Sequence, residues 1–279
     1  MILIIGDPED NRPTYYQEAQ ATAQYLKVHG YKVKELYNGD ATSKNIIKGM
    51  YDADGIIYVG QGGGGTYNLK TGIATGPYGL TGADKPILGY GNKMREGTSG
   101  PLFTPPFKKS GIPVIIAHAC YSTGQTKGIN SYDIITVKNR LDTIYKYSHM
   151  FTAWNANYLA TLEPIVKGIP LINDFVENKQ PIGSMLNYWP NRNGAYLYEY
   201  NLKNNTKIWD HSGESDFFSV LAVPITSPIL SCNHYNSGTY TIFKDLNAPS
   251  CYGRFPKAAE TTPYDDTAAE DWYNSHNKC

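Results

Sequence analysis

Short, wholly apolar runs alternate with stretches of helical periodicity through the first half of the chain. Ile2 to Ile5, Ile56 to Val59 and Val114 to Ala117 are such runs. Each is too short and too rich in β-branched residues for a helix, so each reads as a strand buried on both faces of a parallel sheet. After the first strand, Thr14 and Gln17 have the spacing of a capping box. They predict a helix that runs to about His29 and stops at Gly30. Tyr31 to Tyr37 alternates, with Tyr31, Val33, Glu35 and Tyr37 on one face and Lys32 and Lys34 on the other, and predicts a second strand. Ser43 is placed to cap a short helix whose apolar face is Ile46, Ile47 and Met50. Residues 1–60 therefore read as β-α-β-α-β, which implies a parallel sheet with right-handed crossovers.

The pattern weakens over residues 66–112, which are rich in Gly, Thr, Pro and Lys. Only Ile87 to Tyr90 reads as a short strand there. A segment of that length between two strand ends is a candidate substrate-binding loop. Ile134, Val137, Leu141, Ile144 and Tyr145 then recur at helical spacing and predict a core-facing helix. Phe151 to Leu162 reads as a buried strand with Trp154, Ala156, Tyr158 and Ala160 on one face. Pro170 can open a helix reaching about Asn178, and Ile182 to Leu186 starts another. The stretches 195–200 and 206–210 read as a hairpin, and 220–225 as one more strand. Residues 231–279 are mostly turn formers and Tyr. The expected organisation is an α/β domain over 1–230 and an irregular C-terminal extension over 231–279.

The chemistry concentrates at PVIIAHACYSTG, residues 113–124. The apolar run ends at His118-Ala119-Cys120, and small polar residues lead out of it. In open α/β sheets, ligands and reactive groups sit at the carboxyl ends of strands. Cys120 is therefore the best candidate for a reactive group, although a cysteine at such a position also serves simply as a small buried hydrophobe.

Ala119-Cys120-Tyr121-Ser122 with Gly124 resembles the nucleophile strand of caspase-fold cysteine peptidases, nearest the gingipain-like and CHAT-type branches. That family carries a His-Gly pair at the end of the preceding sheet strand, in caspases roughly 50 residues before the cysteine. Here the matching strand is Gly55 to Gly60, and Gln61 stands at the histidine position, 59 residues before Cys120. The resemblance covers roughly residues 1–190. It implies a three-layer caspase-like fold around a central, mainly parallel sheet, with Gln61 and Cys120 on neighbouring strands. A C-terminal hairpin and the irregular extension would follow. It also implies a peptide or protein as substrate or ligand. Cys120 would be the nucleophile, and backbone N–H groups at Cys120 and in the Gly62–Gly65 run, Gly62 and Gly63 first, the oxyanion donors. Gln61 donates a hydrogen bond but takes up no proton at neutral pH. His118 is two residues before Cys120, so strand alternation would point both into one cleft. It either lowers the thiol pKa or lines the specificity pocket, as that position does in caspases.

The glycine run at 62–65 also invites a phosphate-loop reading, but it lacks GxxxxGK[ST] and no helix signal follows. No nucleotide or other cofactor is expected. No His/Cys/Asp set has metal-ligand spacing, so no metal is expected either. A formal net charge of +0 advertises no basic face for nucleic acid. No apolar run approaches the roughly 20 residues of a membrane span. Charged residues are 18% of the chain and Tyr numbers 24 of 279. This charge-poor, Tyr- and Asn-rich composition fits a secreted or cell-surface prokaryotic protein. Met1 leads straight into a strand with no leader, so a mature or excised domain of a larger surface protein is expected. A Cys232–Cys251 bridge in the turn-rich tail is expected, leaving Cys120 as a thiol; four cysteines allow other pairings, including one to Cys279. Asn204-Asn205-Thr206 has the form of a glycosylation sequon.

Three function classes follow. One is a cysteine peptidase-like hydrolase with an atypical base. The second is a catalytically inactive caspase-fold pseudoenzyme that serves as a surface binding or structural module. The third is a glutamine-amidotransferase-like hydrolase with His211 as partner, which lacks the expected Gly-x-Cys-x-Gly. His149, His211, His234 and His276 otherwise read as solvated or packing residues, and Asp7 and Asp10 as turn residues.

Overall fold

The computed structural model describes residues 1–68, 73–109, 112–123, 137–154, 156–161 and 165. It also describes the backbone of strands at 198–202, 206–210, 219–224, 234–237 and 240–243. The first unit is β1 (Ile2–Gly6), α1 (Pro13–Val28), β2 (Val33–Tyr37), α2 (Ser43–Tyr51) and β3 (Gly55–Val59). An insertion follows, comprising β4 (Gly62–Asn68), β5 (Ile73–Thr81), β6 (Pro86–Tyr90), β7 (Lys93–Glu96) and β8 (Leu102–Phe103). The chain then returns through β9 (Pro113–Ala117), α3 (Val137–Thr152) and β10 (Asn157–Thr161).

Five strands in the order β2-β1-β3-β9-β10 form the parallel sheet. Every residue of β1, β3 and β9 is buried, as their unbroken apolar runs require. The register pairs Ile57 with Ile115 and Val59 with Ala117, so β3 and β9 end side by side. That adjacency is the one the resemblance implied. Beyond β10 the sheet continues antiparallel through β13 (Ser219–Pro224), β12 (Thr206–Asp210), β11 (Tyr198–Leu202), β15 (Tyr240–Phe243) and β14 (His234–Ser237).

The two faces of the sheet are covered differently. Leu3, Ile5, Ile56, Tyr58, Val114 and Ile116 join one core with Ile46, Ile47 and Met50 of α2 and with Ile144, Tyr147, Met150 and Phe151 of α3. The alternate residues face α1, whose Ala19, Ala23 and Leu26 are fully buried. Gly6 permits that approach: a Cβ there would lie 2.4 Å from the Ala19 Cβ.

Several local expectations are corrected. Thr14 caps nothing, because α1 starts at Pro13 with Arg12 at its N-cap. Proline has its φ pre-set for the first helical position, where its missing N–H would have no partner within the helix. The cap of α2 is Thr42, whose hydroxyl accepts the Asn45 N–H at 3.2 Å, and Ser43 is the first helical residue. β2 starts at Val33, since Tyr31 still donates its N–H to Leu26 at the end of α1. Residues 66–112 are largely a five-stranded antiparallel meander, β4 to β8, rather than an irregular loop. It packs into the same core through Tyr78, Leu80, Ile87, Met94 and Phe103. The strand predicted from Phe151 is instead the end of α3. The Trp154 N–H closes a turn on the Phe151 carbonyl at 3.0 Å, and β10 begins only at Asn157. The helices expected from Pro170 and Ile182, the Asn204 sequon, His211, His276, Cys232, Cys251 and Cys279 lie outside the described residues.

Candidate functional site at the ends of β3 and β9

Both strands stop at the same level, and the Gly60 N–H donates to the Ala117 carbonyl at 3.2 Å. β9 gives way to a compact turn. The Ser122 N–H and hydroxyl both donate to the Ala119 carbonyl, at 3.2 and 2.7 Å. The buried Tyr158 hydroxyl donates to the Ser122 carbonyl at 2.9 Å. Cys120 rides on this turn, partly buried, and is a thiol rather than half of a disulfide.

The facing strand end is fixed just as closely. The fully buried Tyr58 hydroxyl lies 2.5 Å from the Gln61 carbonyl and 3.1 Å from that of Thr81, and it accepts the Thr81 N–H at 3.1 Å. Burial pushes this phenol far above its ordinary pKa, so it stays protonated as a donor. The side chain of Gln61 then meets Cys120: the thiol donates to Oε1 at 3.5 Å. Gly62 follows at the start of β4. A Cβ built on it would lie 2.1 Å from the Cys120 carbonyl oxygen and 2.8 Å from the Cys120 nitrogen, so only glycine fits against this turn. Gly63 points elsewhere; a Cβ there would meet only Thr81 Oγ1, at 3.5 Å. The glycines are not a loop, since Gly62, Gly63 and Gly64 pair with Leu80, Gly79 and Tyr78 of β5.

His118 departs from the strand expectation. It lies one residue past the end of β9 and adopts a left-handed backbone with φ of 63°. Alternation along a strand therefore does not carry over to it. Its N–H still bonds the Thr161 carbonyl at 2.8 Å, but its ring turns to α1. Nε2 lies 2.8 Å from Glu18 Oε2, and the ring stacks on Tyr15 with centroids 4.6 Å apart and planes inclined by 11°. The side chains of His118 and Glu18 are only 11% and 10% exposed, which strengthens a charge-assisted bond between them. Glu18 Oε1 also accepts the Ile165 N–H.

Tyr15 ties the two halves of the site together. Burial raises its phenol pKa. The Arg12 guanidinium opposes this, and the nearby Cys120, Glu18 and Asp7 reinforce it. Arg12 stands 6.0 Å from the Tyr15 ring centroid, and its N–H donates to the buried Asp7 carboxylate at 2.9 Å. The structure thus gathers Cys120, Gln61, Gly62 and His118, all singled out in the sequence, and adds Tyr15 and Glu18, which were not. A legible signal did exist for this pair. Residues i and i+3 share a helix face, and α1 leaves the C-terminal end of β1, where sites in such sheets form.

Among the described residues, no three His, Cys, Asp or Glu side chains group as a metal site. No helix among them is long and apolar enough to cross a membrane. Comparison with protein-family models, with curated proteins and with solved structures returns no match to this chain.

Proposed function

We propose that this chain is a cysteine-dependent hydrolase domain of the caspase-like type, acting on peptides or proteins, with Cys120 as its nucleophile. The observation that carries the reading is the meeting of Gln61 and Cys120 at the ends of two adjacent parallel strands. The resemblance asks for that juxtaposition, in a fold layered on both faces of the sheet. A thiol at a strand end, beside a histidine held by a carboxylate, has the parts that acyl transfer needs. The composition supports a secreted or surface setting for such a domain.

One observation favours the second reading, a pseudoenzyme that keeps the site as a binding surface. The group hydrogen-bonded to the thiol is Gln61 Oε1, which accepts a hydrogen bond but takes up no proton at neutral pH. Hydrolysis of a mixed fluorogenic peptide library by the wild type and by Cys120→Ala separates the two. Cleavage lost in the variant supports the hydrolase. Equal signals from both proteins, at the level of a buffer blank, leave the binding role.

A further inference from the structure

We infer that Glu18 is the positioning residue that sets His118 up as the base for Cys120, an inference that rests on the hydrolase reading above. In caspase-like peptidases the base stands on the neighbouring strand, where this chain has Gln61. His118 stands two residues before Cys120, and its ring stacks on Tyr15, whose phenol feels the charge of Cys120.

The argument is one of tautomers. An ionised carboxylate only accepts hydrogen bonds. At 2.8 Å from Glu18 Oε2, Nε2 of His118 must therefore carry the proton. Nδ1 is then left with the lone pair, and among the described residues it makes no hydrogen bond. The basic nitrogen is thus the one not held by α1. Stacking on Tyr15 fixes the plane of the ring, and Glu18 is itself held by the Ile165 N–H on its second oxygen.

The proton inventory closes without any further reactant than water. Nδ1 takes the Cys120 thiol proton, directly or through one water. The thiolate forms a bond to the substrate carbonyl carbon. The carbon–nitrogen bond then breaks, and the imidazolium returns its proton to the leaving amine. Water next gives a proton to Nδ1 and its oxygen to the acyl carbon. The carbon–sulfur bond breaks, and the thiol recovers the proton.

Tyr15 on α1 and Tyr147 on α3 both feel the charge of Cys120, and Tyr15 in turn faces Arg12, Glu18 and Asp7. The decisive variant is Glu18→Gln. Its amide oxygen can still accept the Ile165 N–H, but its NH₂ faces His118 Nε2 as a donor. That forces the proton to Nδ1 and removes the base without changing the shape of the side chain. The readout is the pH profile of iodoacetamide alkylation at the peptide carrying Cys120, quantified by mass spectrometry. The wild type, Glu18→Gln and His118→Asn are compared, each with its thermal midpoint measured.

A wild-type profile well below the free-cysteine value of about 8.5 is expected. Both Glu18→Gln and His118→Asn should move it up toward that value. Alkylation at pH 6.5 should then slow about tenfold for every pH unit by which the profile moves. A depressed profile that survives Glu18→Gln but not His118→Asn overturns the role of Glu18. One that survives both overturns His118 as base, while Cys120 stays reactive. A wild-type profile already centred near 8.5 removes the nucleophile reading itself, and this inference with it. Should Glu18→Gln lower the thermal midpoint, Glu18→Asp, which keeps the carboxylate, must restore the depressed profile; failure to do so also overturns the inference.

Discussion

Gly62→Ala should damage the site more than any other single methyl group added near it. The added Cβ would sit 2.1 Å from the Cys120 carbonyl oxygen, against 3.4 Å for the closest ordinary contact, so the two backbones must part by about 1.3 Å. Neither partner yields easily. The Cys120 turn is held by Ser122 and Tyr158, and Gln61 before the glycine is held by Tyr58. Forcing an extra carbon into such a contact costs typically about 1–3 kcal/mol. A misplacement of about 1 Å at a reacting group costs on the order of a hundredfold in rate. Gly63→Ala is the control, since its Cβ would meet only Thr81 Oγ1 at 3.5 Å. Urea unfolding followed by tryptophan fluorescence gives the stability difference, and Cys120 alkylation at fixed pH gives the effect on the site. Equal stability and equal alkylation rates in the two variants would refute the close approach of β4 to the Cys120 turn.

Tyr58→Phe should cost about 1–3 kcal/mol in urea unfolding, because it strips a buried partner from the Gln61 and Thr81 backbone; a loss below about 0.5 kcal/mol would mean those groups find other partners. Asp84 should give the fold an acid-sensitive contact between the inserted sheet and α2. Burial pushes its carboxyl up, but the N–H and hydroxyl of Ser43 and the N–H groups of Asp84 and Lys85 outweigh this and hold it below its ordinary value. A depressed folded-state value adds stability above the unfolded pKa of about 3.9 and loses it as pH falls through the folded one. Thermal midpoints of the wild type should therefore drop more steeply below about pH 4 than those of Asp84→Asn, and parallel curves would contradict the assignment.

The parallel sheet was legible because β1, β3 and β9 are buried on both faces, and nothing but an unbroken apolar run fits there. The pairing of β3 with β9 is what the resemblance implied for the strands ending at Gln61 and Cys120, 59 residues apart. The inserted meander was not legible, because β4 and β5 carry glycines where turns are expected and β7 and β8 are short. Gly79 shows why: a Cβ there would lie 1.8 Å from the Ile87 carbonyl oxygen, so the glycine marks close packing and not a turn. Alternation misled at His118 because the strand ends one residue earlier and the backbone turns left-handed. The pairing of Glu18 with His118 was not legible, because it joins residues 100 apart in the chain. No local period encodes such a contact.

Direct capture of an acyl group on Cys120 is the most incisive measurement. The protein is mixed with a peptide thioester, quenched in acid within the first turnover and digested, and the peptide carrying Cys120 is weighed. A nucleophilic Cys120 predicts one acyl group on that peptide, absent from Cys120→Ala and discharged by water at neutral pH. Unmodified Cys120 alongside undiminished thioester cleavage by Cys120→Ala would contradict it.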